Sequence, residues 1–201
     1  MSVLQIAGFS GNLHRPSKTR SLVEAVGSAV VADRPHRFDL FDVVDAAPGL
    51  ASAMSRQELS LPARQVVDAI ERADALIIGS PVYKGAYTGL FKHVFDLVDP
   101  LALVGKPVLI TATGGGPRHA LVVEHVLRPL FGFFSALTVP TAVYASDADF
   151  KDGRLVDSKV LSRVNEAATQ LVRLVDGQSG PVSVDREPVQ LAHHARRVAL
   201  G

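Results

Sequence analysis

The chain contains no cysteine among its 201 residues. That absence excludes disulfides, thiol nucleophiles, thiolate metal sites and iron–sulfur clusters, so any redox chemistry requires a borrowed cofactor. Charge of one sign is also lacking: 21 Lys and Arg are set against 20 Asp and Glu, and the Lys/Arg stripe of a nucleic-acid binder is not visible. The ligands expected are small molecules. Long hydrophobic runs are missing too. Nothing approaches the ~20 apolar residues of a membrane span, and the opening MSVLQIAGFSG has neither the basic start nor the apolar length of a secretion signal. The expectation is a cytoplasmic protein with neither membrane nor nucleic acid as partner.

Several catalytic signatures are absent as well. There is no paired-carboxylate arrangement and no G-x-S-x-G elbow. His119 and His125 are separated by about 240° round a helix rather than stacked on one face, and His193 and His194 are adjacent. Hydrolysis and metal chemistry therefore both lose support, and no metal site is expected.

What is present is an alternation. Hydrophobic residues make up 47% and charged residues 20%, as in an ordinary globular domain. Nearly continuous apolar runs at 3–9, 74–81, 106–116 and 138–145, with a weaker one at 36–43, read as strands covered on both faces. Segments at 17–32, from Pro62 onward, 88–99, 118–137 and 155–175 carry helical spacing, and 44–61 reads as a long surface loop. Five strands alternating with five helices predict an α/β fold, a doubly wound parallel sheet with helices on both faces. The domain is placed at 1–177. Residues 178–201, early in Gly and Pro and later amphipathic, are expected to be a tail, either mobile or docked on a second subunit.

Ligands of such sheets lie beyond the carboxyl ends of the strands, so three loops matter. The first, SGNLHRPSKTRS, fits neither a Rossmann fingerprint nor a Walker loop. It offers the hydroxyls of Ser10, Ser17, Thr19 and Ser21, the cations Arg15 and Lys18, and the amides opening a helix, a set suited to a phosphate monoester. Ser17 equally serves as a plain helix cap. In the loop after the third strand, Pro81 and Gly85 allow a rigid, tightly turned main chain to lie along a flat ligand, with Tyr83 and Tyr87 offering ring faces and Lys84 a cation. The third loop, TATGGGPRH, fails the dinucleotide motif because its third glycine position is His119. Its glycines imply close backbone approach to the polar edge of a heterocycle.

Pro129 lies well inside the segment 118–137. It has no N–H for the carbonyl of residue 125 and its ring clashes there, so a kink or π-bulge is expected near His125. The apolar stripes holding Phe91, Phe95, Phe131 and Phe134 read as core or as a subunit contact.

Taken together, SGNLHRPSKTRSL, SPVYKGAYTGLFKHVFDL, TATGGGPRHALVVEHVLRPLF and VYASDADF resemble the NAD(P)H-dependent FMN reductases of two-component alkanesulfonate and methanesulfonate monooxygenase systems, the methanesulfonate type most of all. The resemblance runs from about residue 3 to 175. It implies a flavodoxin-like five-stranded sheet of order 2-1-3-4-5, FMN as cofactor or substrate, and NADPH or NADH as hydride donor. It places Ser10, Arg15, Ser17 and Thr19 at the phosphate, with the longer first loop leaving the cationic role between Arg15 and Lys18. It places Pro81, Val82, Tyr83 and Lys84 along the isoalloxazine, and Thr113, Gly114, Gly115 and Gly116 at the pyrimidine edge. No catalytic side chain is implied, since hydride passes between stacked rings. Reduced FMN would leave for a partner monooxygenase. His125 corresponds to an inserted residue in a π-helical turn at the subunit interface of a homodimer or homotetramer. A flavin-retaining quinone, azo or chromate reductase and a flavodoxin-type electron carrier are the competing readings.

Overall fold

A computed structural model describes residues 3–33 and 36–178. The expected tail lies outside the described residues except for Gln178, the last residue of the final helix. Strand β1 (Gln5–Ser10) pairs in parallel with β2 (Arg37–Asp42) on one side and β3 (Ala75–Pro81) on the other. Strand β4 (Pro107–Gly114) continues the sheet beside β3 and is followed by β5 (Leu137–Thr138), giving the order β2-β1-β3-β4-β5. This is the flavodoxin-like arrangement the sequence implied.

The period of two along the central strands sorts the core into two halves. Ala7, Phe9, Leu76, Ile78, Val108 and Ile110 face one side with α3 (Leu61–Arg72) and α4 (Gly89–Asp96). Ile6, Ala75, Ile77 and Leu109 face the other with α1 (Lys18–Asp33) and α6 (Ser158–Gln178). Phe9, Phe91, Phe95 and Phe131 form a chain of ring contacts, with centroids 4.9 to 5.9 Å apart, that ties β1 to α4 and to α5 (Arg128–Phe133). All four phenylalanines of the apolar stripes are buried within one chain, so the core accounts for them; the exposed ring on that face is Phe133.

Three expectations are corrected. The segment 44–61 is not a continuous loop: α2 (Val43–Leu50) begins directly after β2, capped by Asp42 in a reciprocal box with Asp45. Pro48 and Gly49 then leave helical geometry, which masks the helix in the sequence. The fifth strand is two pieces, β5 (Leu137–Thr138) and β6 (Val143–Ser146), both parallel to β4. Between their pairings β4 advances three residues while this strand advances five, because Pro140 has no N–H for the ladder. The Val139 and Pro140 carbonyls freed by the break accept hydrogen bonds from the Arg128 guanidinium at 3.0 and 3.2 Å. The helix expected at 118–137 is shorter at both ends, since Pro117–His119 is a separate tight turn, α5 ends at Phe133 and Leu137 already belongs to β5, and a short hairpin of β7 (Phe150–Lys151) and β8 (Arg154–Leu155) precedes α6.

Sheet and helix approach closely at Gly79, where a Cβ would meet Val23 Cγ2 at 2.5 Å and Thr111 Oγ1 at 2.6 Å. Gly79→Ala is expected to lower stability by about 2 kcal/mol through overpacking, read as a lower midpoint in urea with an unchanged slope. An unaltered midpoint would show that α1 can lift from the sheet without cost.

Candidate functional site

The carboxyl ends of β1, β3 and β4 bring the three loops together. Ser10 ends β1, and its hydroxyl is buried without a protein partner. The next residue is clamped by its backbone: Gly11 N–H donates to the Gly79 carbonyl at 2.7 Å, and Thr88 Oγ1 donates to the Gly11 carbonyl at 2.9 Å. The Thr88 hydroxyl also caps α4, accepting from Phe91 N–H. Ser17 Oγ accepts from Arg20 N–H at 3.2 Å, so it does cap α1. No acidic residue occupies the first turn of this helix, leaving the positive end of its dipole uncompensated from within. The buried Thr19 hydroxyl sits 2.6 Å from that of Thr113, joining the first loop to the third.

The two cations of the first loop have different fates. Arg15, joined to Pro16 by a cis peptide bond, directs its guanidinium to Asp42, with Nε 2.7 Å from one carboxylate oxygen and Nη2 2.8 Å from the other. It also reaches Asp45 at 2.7 Å. Arg20 and the Asn12 amide donate to the same Asp42 carboxylate at 3.0 and 3.1 Å. Burial alone would raise the Asp42 carboxyl, but the Arg15 and Asn12 hydrogen bonds outweigh it and hold the group below the ordinary value. Lys18 makes a looser contact, with Nζ 2.8 Å from Asp147 beyond β6 and both side chains exposed.

After β3, the main chain doubles back. Val82 N–H donates to the Thr113 carbonyl at 2.8 Å, tying the second loop to the third. Tyr83 and Ala86 exchange both backbone hydrogen bonds across Lys84 and Gly85, whose φ angles are 53° and 89°. Two central left-handed residues are what the tightest turns require. Pro81 and Val82 are half-buried while Tyr83 and Lys84 project at the exposed tip. Tyr87 instead lies against Phe91, with ring centroids 5.5 Å apart, so it belongs to the core edge.

After β4, Gly114, Gly115 and Gly116 run beside Tyr144. The Tyr144 hydroxyl donates to the Gly116 carbonyl at 2.6 Å and lies 2.5 Å from the point where a Cβ on Gly114 would sit. Gly114 thus has a packing cause from below, whereas a Cβ at Gly115 or Gly116 would have room, and Gly115 is exposed.

Beyond this loop the helix breaks as Pro129 requires. Residues Val123–Leu127 form a π-helical turn with His125 at its centre, and Arg128 N–H donates to the Val123 carbonyl five residues back. Pro129 then falls in the first turn of α5, where its missing N–H costs little. His125 is exposed. Glu124 and Arg128 pair across the turn, Arg128 Nε lying 2.6 Å from Glu124.

Sequence reasoning missed Asn12, Asp42, Asp45, Thr88, Tyr144 and Asp147. Three had a readable signal: Asp42 and Asp45 stand at a capping-box interval, and Thr88 precedes Gly89-Leu-Phe as an N-cap. The others act through tertiary contacts that no local pattern announces. Among the described residues no helix is long and apolar enough to cross a membrane, and no cluster of metal-ligating side chains occurs.

Comparison with known proteins agrees with the geometry. The family pattern described as NADPH-dependent FMN reductase matches residues 4–151. The NADH-dependent FMN reductase SfnF of Pseudomonas fluorescens is 44% identical over 171 residues, 85% of this chain and 91% of that one. The FMN reductase (NADPH) of Pseudomonas aeruginosa is 42% identical over 178 residues, 89% of this chain and 96% of that one. An oxidoreductase structure from Corynebacterium diphtheriae superposes with a TM-score of 0.78 at 33% identity, covering 88% of this chain and 99% of that one. With the sheet order and these relatives in agreement, the chain belongs to the family of NADPH-dependent FMN reductases.

Proposed function

We propose that this FMN reductase works on diffusible flavin: it binds FMN, reduces it with NADH or NADPH, and releases the product to a separate monooxygenase that acts on sulfonates. When bound, FMN would supply N5 as the acceptor of a hydride from the nicotinamide. The chain supplies alignment. Ser10, the amides opening α1, Ser17 and Thr19 surround the phosphate; Pro81, Val82, Tyr83 and Lys84 flank the isoalloxazine; Thr113, Gly114, Gly115 and Gly116 meet the pyrimidine edge. The observation that carries this reading is the buried, unpartnered Ser10 hydroxyl beside the uncompensated start of α1. A hydroxyl donor and a positive helix end fit a terminal phosphate, and a donor buried without an acceptor costs about 1–3 kcal/mol.

Steady-state kinetics test the reading. The protein is expected to purify colourless, with FMN behaving as a saturable substrate and intersecting double-reciprocal plots for FMN and NAD(P)H. A yellow protein with parallel plots against a quinone would establish the flavin-retaining reductase instead, and no consumption of NAD(P)H would establish an electron carrier.

Lys18 rather than Arg15 takes the cationic role, because Arg15 is already committed to Asp42 and Asp45 while Lys18 meets the exposed Asp147 and, 6.0 Å from the ring centroid, Phe150. Lys18→Ala is expected to raise the KM for FMN about tenfold at low salt, with the difference shrinking as ionic strength rises, and to leave that for riboflavin unchanged. Arg15→Ala is expected to show its main effect in thermal stability. The reverse pattern would assign the phosphate to Arg15.

A further inference from the structure

Asn12 carries a second unpartnered atom that the phosphate does not explain. The residue is only 3% exposed, in the loop between β1 and α1. Its Nδ2 donates to the His14 carbonyl at 3.0 Å and to the Asp42 carboxylate at 3.1 Å. Both partners are acceptors only, so the amide cannot be turned over: nitrogen must face them and Oδ1 must face away. That Oδ1 is buried and has no hydrogen-bond partner. Its surroundings are fixed, since Gly11 before it is held to Gly79 and Thr88, and Asp42 is anchored by two arginines.

A buried amide oxygen needs a donor. A phosphate dianion brings only acceptors, so it suits Ser10 and Lys18 but not Asn12 Oδ1. The donors FMN offers are the ring N3–H, which belongs with the pyrimidine edge, and the hydroxyls of the ribityl chain between ring and phosphate. The sequence places Asn12 within the phosphate-binding loop, two residues after Ser10.

We propose that Asn12 is a specificity-determining residue whose Oδ1 accepts a hydrogen bond from a ribityl hydroxyl, so that the site reads the polyol chain of the flavin separately from its phosphate. The inference rests on the FMN-reductase reading and deepens it. Asp42 and the His14 carbonyl act as the orienting partners, holding the amide so that its oxygen is presented to a polyol.

The test compares three flavins by equilibrium binding: FMN, riboflavin, which lacks the phosphate, and lumiflavin, which lacks the ribityl chain too. Each Kd is read by equilibrium dialysis, with the free flavin quantified by its own fluorescence. Asn12→Ala is expected to weaken FMN and riboflavin alike, by about tenfold, and to leave lumiflavin within about twofold, the range of one hydrogen bond. Asn12→Asp keeps an acceptor oxygen while setting a carboxylate against Asp42. It is expected to lower Tm yet preserve the riboflavin-to-lumiflavin ratio of Kd values. Equal weakening of all three flavins by Asn12→Ala would reduce Asn12 to a structural residue, and weakening of FMN alone would return it to the phosphate; either result overturns the proposal. If the wild-type protein bound none of the three, the FMN-reductase reading itself would fall. A wild type that binds all three, with an unaltered ratio in Asn12→Ala, would remove only this assignment.

Discussion

Replacing Asp42 with alanine is expected to lower folding stability by about 3 kcal/mol, the largest effect of any single polar side chain near the site. The carboxylate is fully buried at the end of β2. It accepts from Arg15, Arg20 and Asn12, and it also caps α2 through Asp45 N–H. Losing one partner of a buried pair costs about 3–5 kcal/mol, and losing an N-cap costs about 1. Arg15 and Arg20 are partly exposed and regain water when released, which holds the total toward the lower end. Asp42→Asn keeps a capping oxygen and a similar shape, so its cost is expected to fall near 2 kcal/mol, with the charge the main loss.

The pH dependence has a definite sign. The Asp42 carboxyl titrates below its ordinary value in the folded protein. Its contribution is therefore complete above the unfolded value, near pH 4, and is lost as pH falls through the lower folded value. Urea titrations of wild type and Asp42→Ala should differ equally at pH 7 and pH 5 and converge below about pH 4. A constant difference down to pH 3 would mean that cap and packing, not the charge, carry the effect. The loop responds as well: with Asp42 gone, Asn12 loses its orienting partner and Arg15 is freed, so FMN binding is expected to weaken alongside stability.

The sequence showed the strand-end loops correctly because each rests on local chemistry. Apolar runs mark β1, β3 and β4, and the Ser, Gly and Pro residues that follow mark where the chain turns away from the sheet. The π turn was legible for the same reason, since Pro129 removes one identifiable hydrogen bond from a helix. What stayed hidden depends on residues far apart in the chain. Arg15 reads as a free cation in SGNLHRPSKTRS, but its partners Asp42 and Asp45 lie on the far side of α1 in the sequence. Tyr144 occupies the space under Gly114 only because β6 lies beside β4. The short α2 was missed because Pro48 and Gly49 carry the signature of a loop while the capping box ahead of them already starts a helix.

Deleting His125 is expected to yield a protein that purifies with FMN bound, in contrast to the transient binding proposed for the wild type. Removal of one residue takes the insertion out of Val123–Leu127 and turns the five-residue step from Arg128 N–H to the Val123 carbonyl into a four-residue step. Everything on one side of the deletion must then rotate by about 100° and shift by about 1.5 Å relative to the other. The downstream side resists, because Leu127 and Phe131 are buried and Phe131 stacks edge-on with Phe95 at 5.1 Å. Arg128 resists further, being bonded to Thr138, Val139 and Pro140. Upstream, Val122 and Val123 are buried too, but beyond them the exposed Leu121 and the Pro117–His119 turn can give way, so the displacement is carried into Gly114–Gly116, the segment proposed to meet the flavin ring. Turnover of free FMN is expected to fall at least tenfold, about 1.4 kcal/mol, with flavin absorbance near 450 nm copurifying and a changed elution volume if His125 lies between subunits. His125→Ala, which keeps the residue count and the π turn, should behave like wild type in flavin content, separating the geometry of the insertion from the imidazole it carries. A deletion variant that still purifies colourless and turns over FMN normally would show that the broken helix is no more than Pro129's accommodation.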